Sequence, residues 1–174
     1  QSVVVRGENA YTAVSGTLLQ LNSSNLAQKI ASRSCADSSS SFFTAGEDYV
    51  YVSCDVSSVP HTFQLNASNI SQQFTNISNG NNYYRGGPAL ANGYFYFAQG
   101  NILYQKDASN ISIEIANFTL GASVSSTPIV TDDYVFIGAG NKMYQVHANN
   151  VGNYVGSFTA GSTINGAPVV SKGF

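Results

Sequence analysis

The side chains with the most versatile chemistry in this chain are two histidines, His61 and His147, and two cysteines, Cys35 and Cys54. Histidine can transfer protons near neutral pH, and both residue types can ligate metal ions. A zinc cluster or a haem attachment needs them at short spacings such as Cys-x-x-Cys, which this sequence lacks. The sequence therefore predicts no metal site and no cofactor.

Neither histidine has neighbours that indicate catalysis. His61 lies beside Pro60, where we expect it to be exposed. His147 occupies a recurrent position that elsewhere holds Asn22, Asn66 and Asp107. Short polar side chains at such positions brace tight turns, so we expect His147 to brace its own turn.

Other catalytic arrangements are also missing from the sequence. Two pairs of adjacent carboxylates occur, Asp132-Asp133 and Glu47-Asp48, but neighbouring side chains in a turn diverge, which disfavours a paired acid–base role. Weak cation binding is the alternative interpretation of these pairs. There is no Gly-x-Ser-x-Gly nucleophile motif and no glycine-rich phosphate loop. We therefore predict no catalytic residues.

The elements that carry these residues form an internal repeat. Pro88, Pro128 and Pro168 are evenly spaced along the chain, and each opens a short apolar run followed by a turn. An asparagine turn recurs in the same register and at nearly the same spacing, and its closing residues are Asn25, Asn69, Asn110 and Asn150. Val, Ile, Phe, Tyr and Thr dominate the runs between turns, as in β-strands. Each copy therefore predicts four short strands.

The repeat predicts an all-β fold, a β-propeller of about 40-residue four-stranded antiparallel blades. The predicted blades are 1–40, 41–85, 86–125 and 126–165, in a single domain of 174 residues, followed by the first strand of a fifth blade at 166–174. A non-repeating β-sandwich and a β-solenoid are the alternatives. The surplus strand favours a stretch of a longer propeller, and pairing with a neighbouring molecule is the other possibility.

The best copy of the repeat, TPIVTDDYVFIGAGNKMYQVHANN at 127–150, resembles the PQQ-like β-propeller repeat. The resemblance covers nearly the whole chain, although the copies are degenerate, and it implies a propeller of the non-enzymatic, extracellular type. Quinoprotein dehydrogenases of this family lock their blades with tryptophan and use a vicinal cysteine pair. This chain has no tryptophan, and its two cysteines are not adjacent, so a quinoprotein oxidoreductase fragment is the less favoured alternative.

Composition favours export. Only 9% of residues are charged, against about 25% in typical soluble domains. Polar uncharged residues replace them, a composition similar to that of secreted surface proteins of thermoacidophilic archaea. Six Asn-x-Ser/Thr sequons are candidate glycosylation sites: Asn22, Asn66, Asn69, Asn76, Asn110 and Asn117. Three of the six fall at or near the asparagine turn. The alternative is that these are simply turn residues.

Cys35 and Cys54 fall in adjacent copies of the repeat, so a disulfide between them is geometrically plausible. A bridge closing a loop of this size would stabilise the fold by about 3 kcal/mol. Two buried free thiols are the alternative interpretation.

The basic residues are scattered, which excludes a nucleic-acid interface, and no apolar run has membrane-spanning length. The segment Tyr83-Tyr84-Arg85 follows a polar stretch, and its composition suits a contact patch.

We therefore expect a non-enzymatic, extracellular, glycosylated propeller, a binding or assembly scaffold at a cell surface whose partner is a protein or a glycan. The alternative is a structural subunit of a surface filament or layer, which self-associates by strand addition through 167–174.

Overall fold

The computed structural model describes residues 3–35, 42–56, 59–78, 86–124 and 126–171. Within these residues the chain forms sixteen β-strands and no helix. The strands build four sheets, each a four-stranded antiparallel meander in chain order. The all-β fold and the four-stranded repeat predicted from the sequence are therefore confirmed.

Each sheet uses one copy of the repeat. The first consists of β1 (Val3–Arg6), β2 (Asn9–Val14), β3 (Thr17–Asn22) and β4 (Asn25–Ser34), and the second of β5 (Phe42–Ala45), β6 (Tyr49–Val56), β7 (Val59–Asn66) and β8 (Asn69–Ser78). The third consists of β9 (Ala89–Ala91), β10 (Tyr94–Gln99), β11 (Ile102–Asp107) and β12 (Glu114–Thr119), and the fourth of β13 (Ile129–Val130), β14 (Tyr134–Ala139), β15 (Lys142–His147) and β16 (Tyr154–Thr159).

The hairpin between the second and third strands needs glycine where the sequence predicts it. Gly100 follows β10 with φ of 59°, and Gly140 follows β14 with φ of 57°. Glycine adopts this left-handed conformation without the steric cost that a Cβ atom brings. The hairpin between the third and fourth strands instead contains a register shift, which follows the same glutamine in every sheet: Gln20, Gln64, Gln105 and Gln145.

The chain divides into two compact units, residues 1–81 and 82–174, with two sheets in each. In the first unit a buried apolar cluster joins Tyr11 and Leu18 of the first sheet to Val50, Leu65 and Ile70 of the second. In the second unit an equivalent cluster joins the third sheet to the fourth through Tyr96, Leu103, Val135, Val146 and Val151. Burial of these apolar side chains is the main stabilising contribution within each unit.

Hydrogen bonds fix how the two sheets of each unit are aligned. In the first unit the Tyr11 hydroxyl donates to the Ala67 carbonyl at 2.6 Å, and Gln20 Nε2 donates to the same oxygen at 2.9 Å. The Ile70 backbone N–H donates to Gln20 Oε1 at 3.0 Å. A tyrosine and a glutamine of one sheet therefore bind backbone groups in the hairpin between the third and fourth strands of the next sheet. We call the fourth strand of each sheet its outer strand and this hairpin its outer hairpin, and we call the arrangement the Tyr–Gln clamp.

The second unit repeats the clamp. The Tyr96 hydroxyl and Gln105 Nε2 donate to the Ala148 carbonyl at 2.6 and 2.9 Å. The Val151 N–H donates to Gln105 Oε1 at 3.0 Å. Because both glutamines are fully buried, each bond forms without competition from water.

A disulfide between Cys35 and Cys54 crosses from the first sheet to the second, with Cα atoms 5.5 Å apart, as the sequence predicts. Both residues are buried, and the Cys35 N–H donates to the Gly16 carbonyl at 2.6 Å. The bridge belongs to the apolar cluster of the first unit, so it reinforces packing that is already present.

The C-terminal segment differs from the expectation. Residues 167–171 form no strand and have no ladder partner within the described part of the chain, and Val169 is exposed. The apolar runs after Pro88 and Pro128 are strands because they pair with the strands that follow, β10 and β14. No such strand follows Pro168 in the described residues, so the first strand of a fifth blade is not formed there.

Candidate functional site on the outer hairpins and strands

The hairpin between the third and fourth strands is braced by a polar side chain at its start. The Oδ1 atoms of Asn22, Asn66 and Asp107 accept hydrogen bonds from the backbone N–H two residues later, at 2.8, 2.8 and 2.7 Å. This geometry is an Asx turn. The prediction for this position is wrong for His147, whose ring packs 5.4 Å from the Tyr134 ring and makes no side-chain hydrogen bond among the described residues.

A second Asx turn closes the same hairpin in all four sheets. The residues that form it, with Oδ1 to N–H distances of 3.2, 3.1, 3.1 and 2.9 Å, are Asn25, Asn69, Asn110 and Asn150. Asn25 and Asn150 are followed by Ala27 and Gly152 and are not sequons. Turn geometry alone therefore accounts for an asparagine at this position, whether or not it carries a glycan.

The six sequons fall into three pairs of structurally equivalent positions. Asn22 and Asn66 start the hairpin, and each donates from Nδ2 to the Oε1 of a glutamine later in the same hairpin, at 3.2 and 3.0 Å. Asn69 and Asn110 close it. Asn76 and Asn117 lie within the outer strands β8 and β12. All six therefore lie on the outer hairpins and outer strands of the sheets.

The strand pair differs from the other four sequons because no turn requires it. Asn76 pairs with Phe63, and Asn117 pairs with Tyr104, at the same register in their sheets. Both asparagines are exposed. Each asparagine is followed two residues later by Ser or Thr. Because asparagine is disfavoured in strands, local backbone structure does not explain why it recurs at this position.

Charged groups cluster beside Asn117. Lys106 Nζ forms an ion pair with Glu114 Oε2 at 3.1 Å, and Asn117 Nδ2 donates to Glu114 Oε1 at 2.8 Å. The Asn117 bond, with the smaller effect of Lys106, lowers the pKa of the Glu114 carboxyl. In the neighbouring turn, hydrogen bonds from the Ser109 hydroxyl and N–H lower the pKa of Asp107.

The other residues considered for chemistry contribute to the packing and backbone hydrogen bonding of the strands. His61 Nδ1 lies 2.9 Å from the Val59 carbonyl, and its ring stacks on Phe63 at 5.8 Å. The acidic pairs lie at hairpins, where the backbone carbonyls of Asp48 and Asp133 accept hydrogen bonds from Ala67 and Ala148. No group of three or more His, Cys, Asp or Glu side chains in the described ranges is arranged to hold a metal ion.

The predicted contact patch and the membrane-spanning potential of the chain both bear on its partners. Tyr83, Tyr84 and Arg85 lie outside the described residues, so the structure places none of them. Across the portion of the chain that is described, no helix has the length and apolar character needed to cross a membrane.

The recurring glutamines, of which Gln20 and Gln105 form the clamps, were not identified from the sequence. Gln20, Gln64, Gln105 and Gln145 recur at the same intervals as the asparagines that close the turns. Each glutamine lies within an apolar run and recurs at the interval of the repeat. That recurrence is the signal in the sequence that could have indicated a buried hydrogen-bonding position.

The sequence matches no protein-family model and no curated protein. Its structure is similar to that of BamB from Moraxella catarrhalis, with a TM-score of 0.75 and 11% identity, and to that of the computationally designed Ika8 protein, with a TM-score of 0.75 and 8% identity. Each match covers 98% of this chain and 52% of the other, so the chain spans about half the length of either protein. BamB is a β-propeller, and this chain has a β-propeller fold made of four four-stranded sheets.

Proposed function

We propose that this chain is a non-enzymatic, extracellular, glycosylated β-propeller of the PQQ-like repeat type, and that it acts as a binding or assembly scaffold at a cell surface. The similarity to the BamB fold supports a protein-binding scaffold and agrees with the PQQ-like repeat pattern. Its partner is a protein or a glycan, and the segment Tyr83-Tyr84-Arg85 is a contact patch for it.

The observation that carries glycosylation is the strand pair of sequons. Asn76 and Asn117 are exposed, equivalent in register and unexplained by turn geometry. The glycan-bearing Nδ2 of each lies on an outer strand, where a large polar group meets solvent. Such groups supply the solubility that a chain with 9% charged residues does not obtain from charge.

The disulfide supports export. Bridges of this kind persist in oxidising compartments and are rare where thiols are kept reduced. Cys35 and Cys54 are the only cysteines of the chain, and both are consumed by the bridge.

The buried polar groups support a role other than catalysis. Gln20 and Gln105 bind backbone groups of the adjacent sheet. Ser53 and Thr62 bind each other at 3.1 Å, and the Ser126 hydroxyl binds backbone atoms of Gly138. Each of these side chains stabilises the packing of strands rather than lining a reaction site.

Intact-mass spectrometry of protein from its natural source, before and after enzymatic removal of N-glycans, tests the proposal. We expect a mass above the 18.4 kDa of the chain that falls on deglycosylation. In a secreting, glycosylating host, Asn76→Gln and Asn117→Gln should each remove one glycan.

The matched controls are Asn25→Gln and Asn150→Gln, which change turn asparagines of the first and fourth sheets that are not sequons. They should leave glycan content unchanged. A bare chain mass from the natural source would remove the support for glycosylation. A quinone absorbance in the purified protein, or quinone-dependent oxidation of alcohols, would contradict the non-enzymatic assignment.

A further inference from the structure

The fourth sheet exposes a face whose equivalents in the first and third sheets are covered by the next sheet. In the first sheet Tyr11, Leu18 and Gln20 are at most 1% exposed, because the second sheet packs on them. In the third sheet Tyr96, Leu103 and Gln105 are fully buried under the fourth in the same way.

The fourth sheet places Phe136, Met143 and Gln145 at these positions. Phe136 pairs with Gln145 and Gly138 with Met143, which is the register of Tyr96 with Gln105 and Ala98 with Leu103. All three side chains are only half-buried. We call them the Gln145 face. It carries the glutamine of the Tyr–Gln clamp, but no sheet of the described chain packs on it.

The first sheet exposes the complementary face. In the second and fourth sheets, the side chains that pack on a preceding sheet are buried: Phe63, Leu65 and Ile70, and Tyr144, Val146 and Val151. Their equivalents in the first sheet are Leu19, Leu21 and Leu26, which we call the Leu26 face. Leu19 and Leu21 are half-buried, and Leu26 is 62% exposed, whereas Ile70 and Val151 are 0% exposed.

The hairpin beside Leu26 already has the conformation that the clamp requires. The Ser23 N–H donates to the Glu8 carbonyl at 2.9 Å, as Ala67 does to Asp48 at 2.9 Å and Ala148 to Asp133 at 2.8 Å. Leu26 lies in the bulge of its hairpin, as Ile70 does. The Ser23 carbonyl and the Leu26 N–H are therefore the equivalents of the two groups that Gln20 and Gln105 bind in the clamps.

We propose that the Gln145 face binds the Leu26 face of a second copy of this chain, with Gln145 bonded to the Ser23 carbonyl and the Leu26 N–H. The contact repeats, between molecules, the junction that each unit makes within itself. Each of the two similar solved structures has about as much chain again outside the matched span. Because the two faces differ, the association is head-to-tail.

This self-association supplies a partner for the assembly role in the proposed function, and it rests on that proposed function. Its test uses the unglycosylated chain, so its failure leaves the proposals of glycosylation and export untouched. Sedimentation analysis from about 1 to about 100 µM should show a mass that rises by whole copies with concentration, as expected of a moderate-affinity contact.

Two substitutions on the separate faces give a sharp test. Leu26→Asp and Gln145→Arg should each yield a monomer, because every copy then lacks one of the two faces, while an equimolar mixture of the two should form a dimer through the intact faces. The matched control is Phe74→Asp, since Phe74 is 59% exposed on the fourth strand of the second sheet, which carries neither face. It should associate like the unchanged chain, and circular dichroism should show that all the variants fold.

A gain of affinity is also expected. Phe136 stands where Tyr11 and Tyr96 supply a hydroxyl to the clamp, so Phe136→Tyr should tighten the association about fivefold by restoring that bond. A chain that remains monomeric throughout the concentration range would overturn the proposal. So would loss of association on Phe74→Asp or on deletion of 167–174, with Leu26→Asp having no effect.

Discussion

Cys35 and Leu120 occupy the same position in the two units, at the end of the outer strand of the first and third sheets. The Cys35 N–H donates to Gly16 and the Leu120 N–H to Asn101, at 2.6 and 2.7 Å. The disulfide partner Cys54 corresponds to Ala139, and Leu120 and Ala139 both belong to the apolar cluster of the second unit. A covalent bridge in one unit therefore takes the place of apolar packing in the other.

This equivalence predicts that the first unit can dispense with its bridge if the apolar contact is supplied. Cys35→Leu with Cys54→Ala should lose about 1 kcal/mol or less relative to the oxidised protein, because burial of leucine offsets part of the loop-closure contribution. Cys35→Ser with Cys54→Ser should lose about 3 kcal/mol or more, because it also buries hydroxyls in an apolar site. Urea denaturation followed by circular dichroism measures both. Equal losses in the two double variants would show that the contact has no compensating value.

The clamp predicts unequal effects at two equivalent glutamines. Gln105→Leu leaves the buried Val151 N–H without its acceptor, which costs about 1–3 kcal/mol of unfolding free energy. Gln145→Leu should change stability by less than about 0.5 kcal/mol in the monomer, since Gln145 is half-buried and unclamped. Chemical denaturation at a concentration below self-association measures both values, and an equal loss at the two sites would contradict the assigned role of the clamp.

Acid should weaken the turn that begins at Asp107. Its pKa lies below the ordinary value of 3.8 because Ser109 donates to the carboxylate, so the charged form contributes stability at pH values above 3.8. That contribution is lost as the pH falls through the lowered pKa. Asp107→Asn retains the Oδ1 acceptor, as Asn22 and Asn66 show, and should make the thermal midpoint less dependent on pH below about 4. The unchanged chain and the variant should differ little near neutral pH, and parallel profiles from pH 2 to 6 would contradict the assignment.

The hairpin after β14 should not tolerate a side chain. Gly140→Ala forces a Cβ atom into the left-handed conformation and to within 2.8 Å of the Ala122 Cβ, so it should destabilise the protein by about 1 kcal/mol or more. Gly156→Ala is the control, because nothing lies within 4 Å of its Cβ position and its φ is not in the left-handed region. The control should be neutral or slightly stabilising in thermal denaturation. A neutral Gly140→Ala would mean that the hairpin relaxes around the new atom.

Several parts of the fold could be predicted because local rules determine them. The runs after Pro88 and Pro128 are strands, and Gly100 and Gly140 have positive φ, since turn geometry and β-propensity depend on few neighbouring residues. Pro168 opens a similar run but no strand, because a strand also needs a partner and the described residues supply none for it. His147 keeps its place in the repeat, yet its ring packs on Tyr134 instead of bracing the turn.

The candidate site was only partly predictable for the same reason. The six sequons can be recognised from short local patterns, but their arrangement in equivalent pairs depends on the bulge that sets the register of each outer hairpin. Which of the recurring glutamines are clamped depends on whether another sheet covers them, and that is a long-range property.

The clamp also has a consequence for how such a chain can change its length. Since one sheet's tyrosine and glutamine bind main-chain atoms of the next hairpin, the hydrogen bonds of the junction do not depend on that hairpin's side chains. Its packing requires only an apolar residue at the position of Ile70 and Val151. A whole repeat can then be duplicated, deleted or exchanged between genes while each boundary finds a compatible neighbour. Cutting within a repeat removes half of a junction and exposes buried polar groups. Variation in such chains should therefore proceed in steps of about 40 residues.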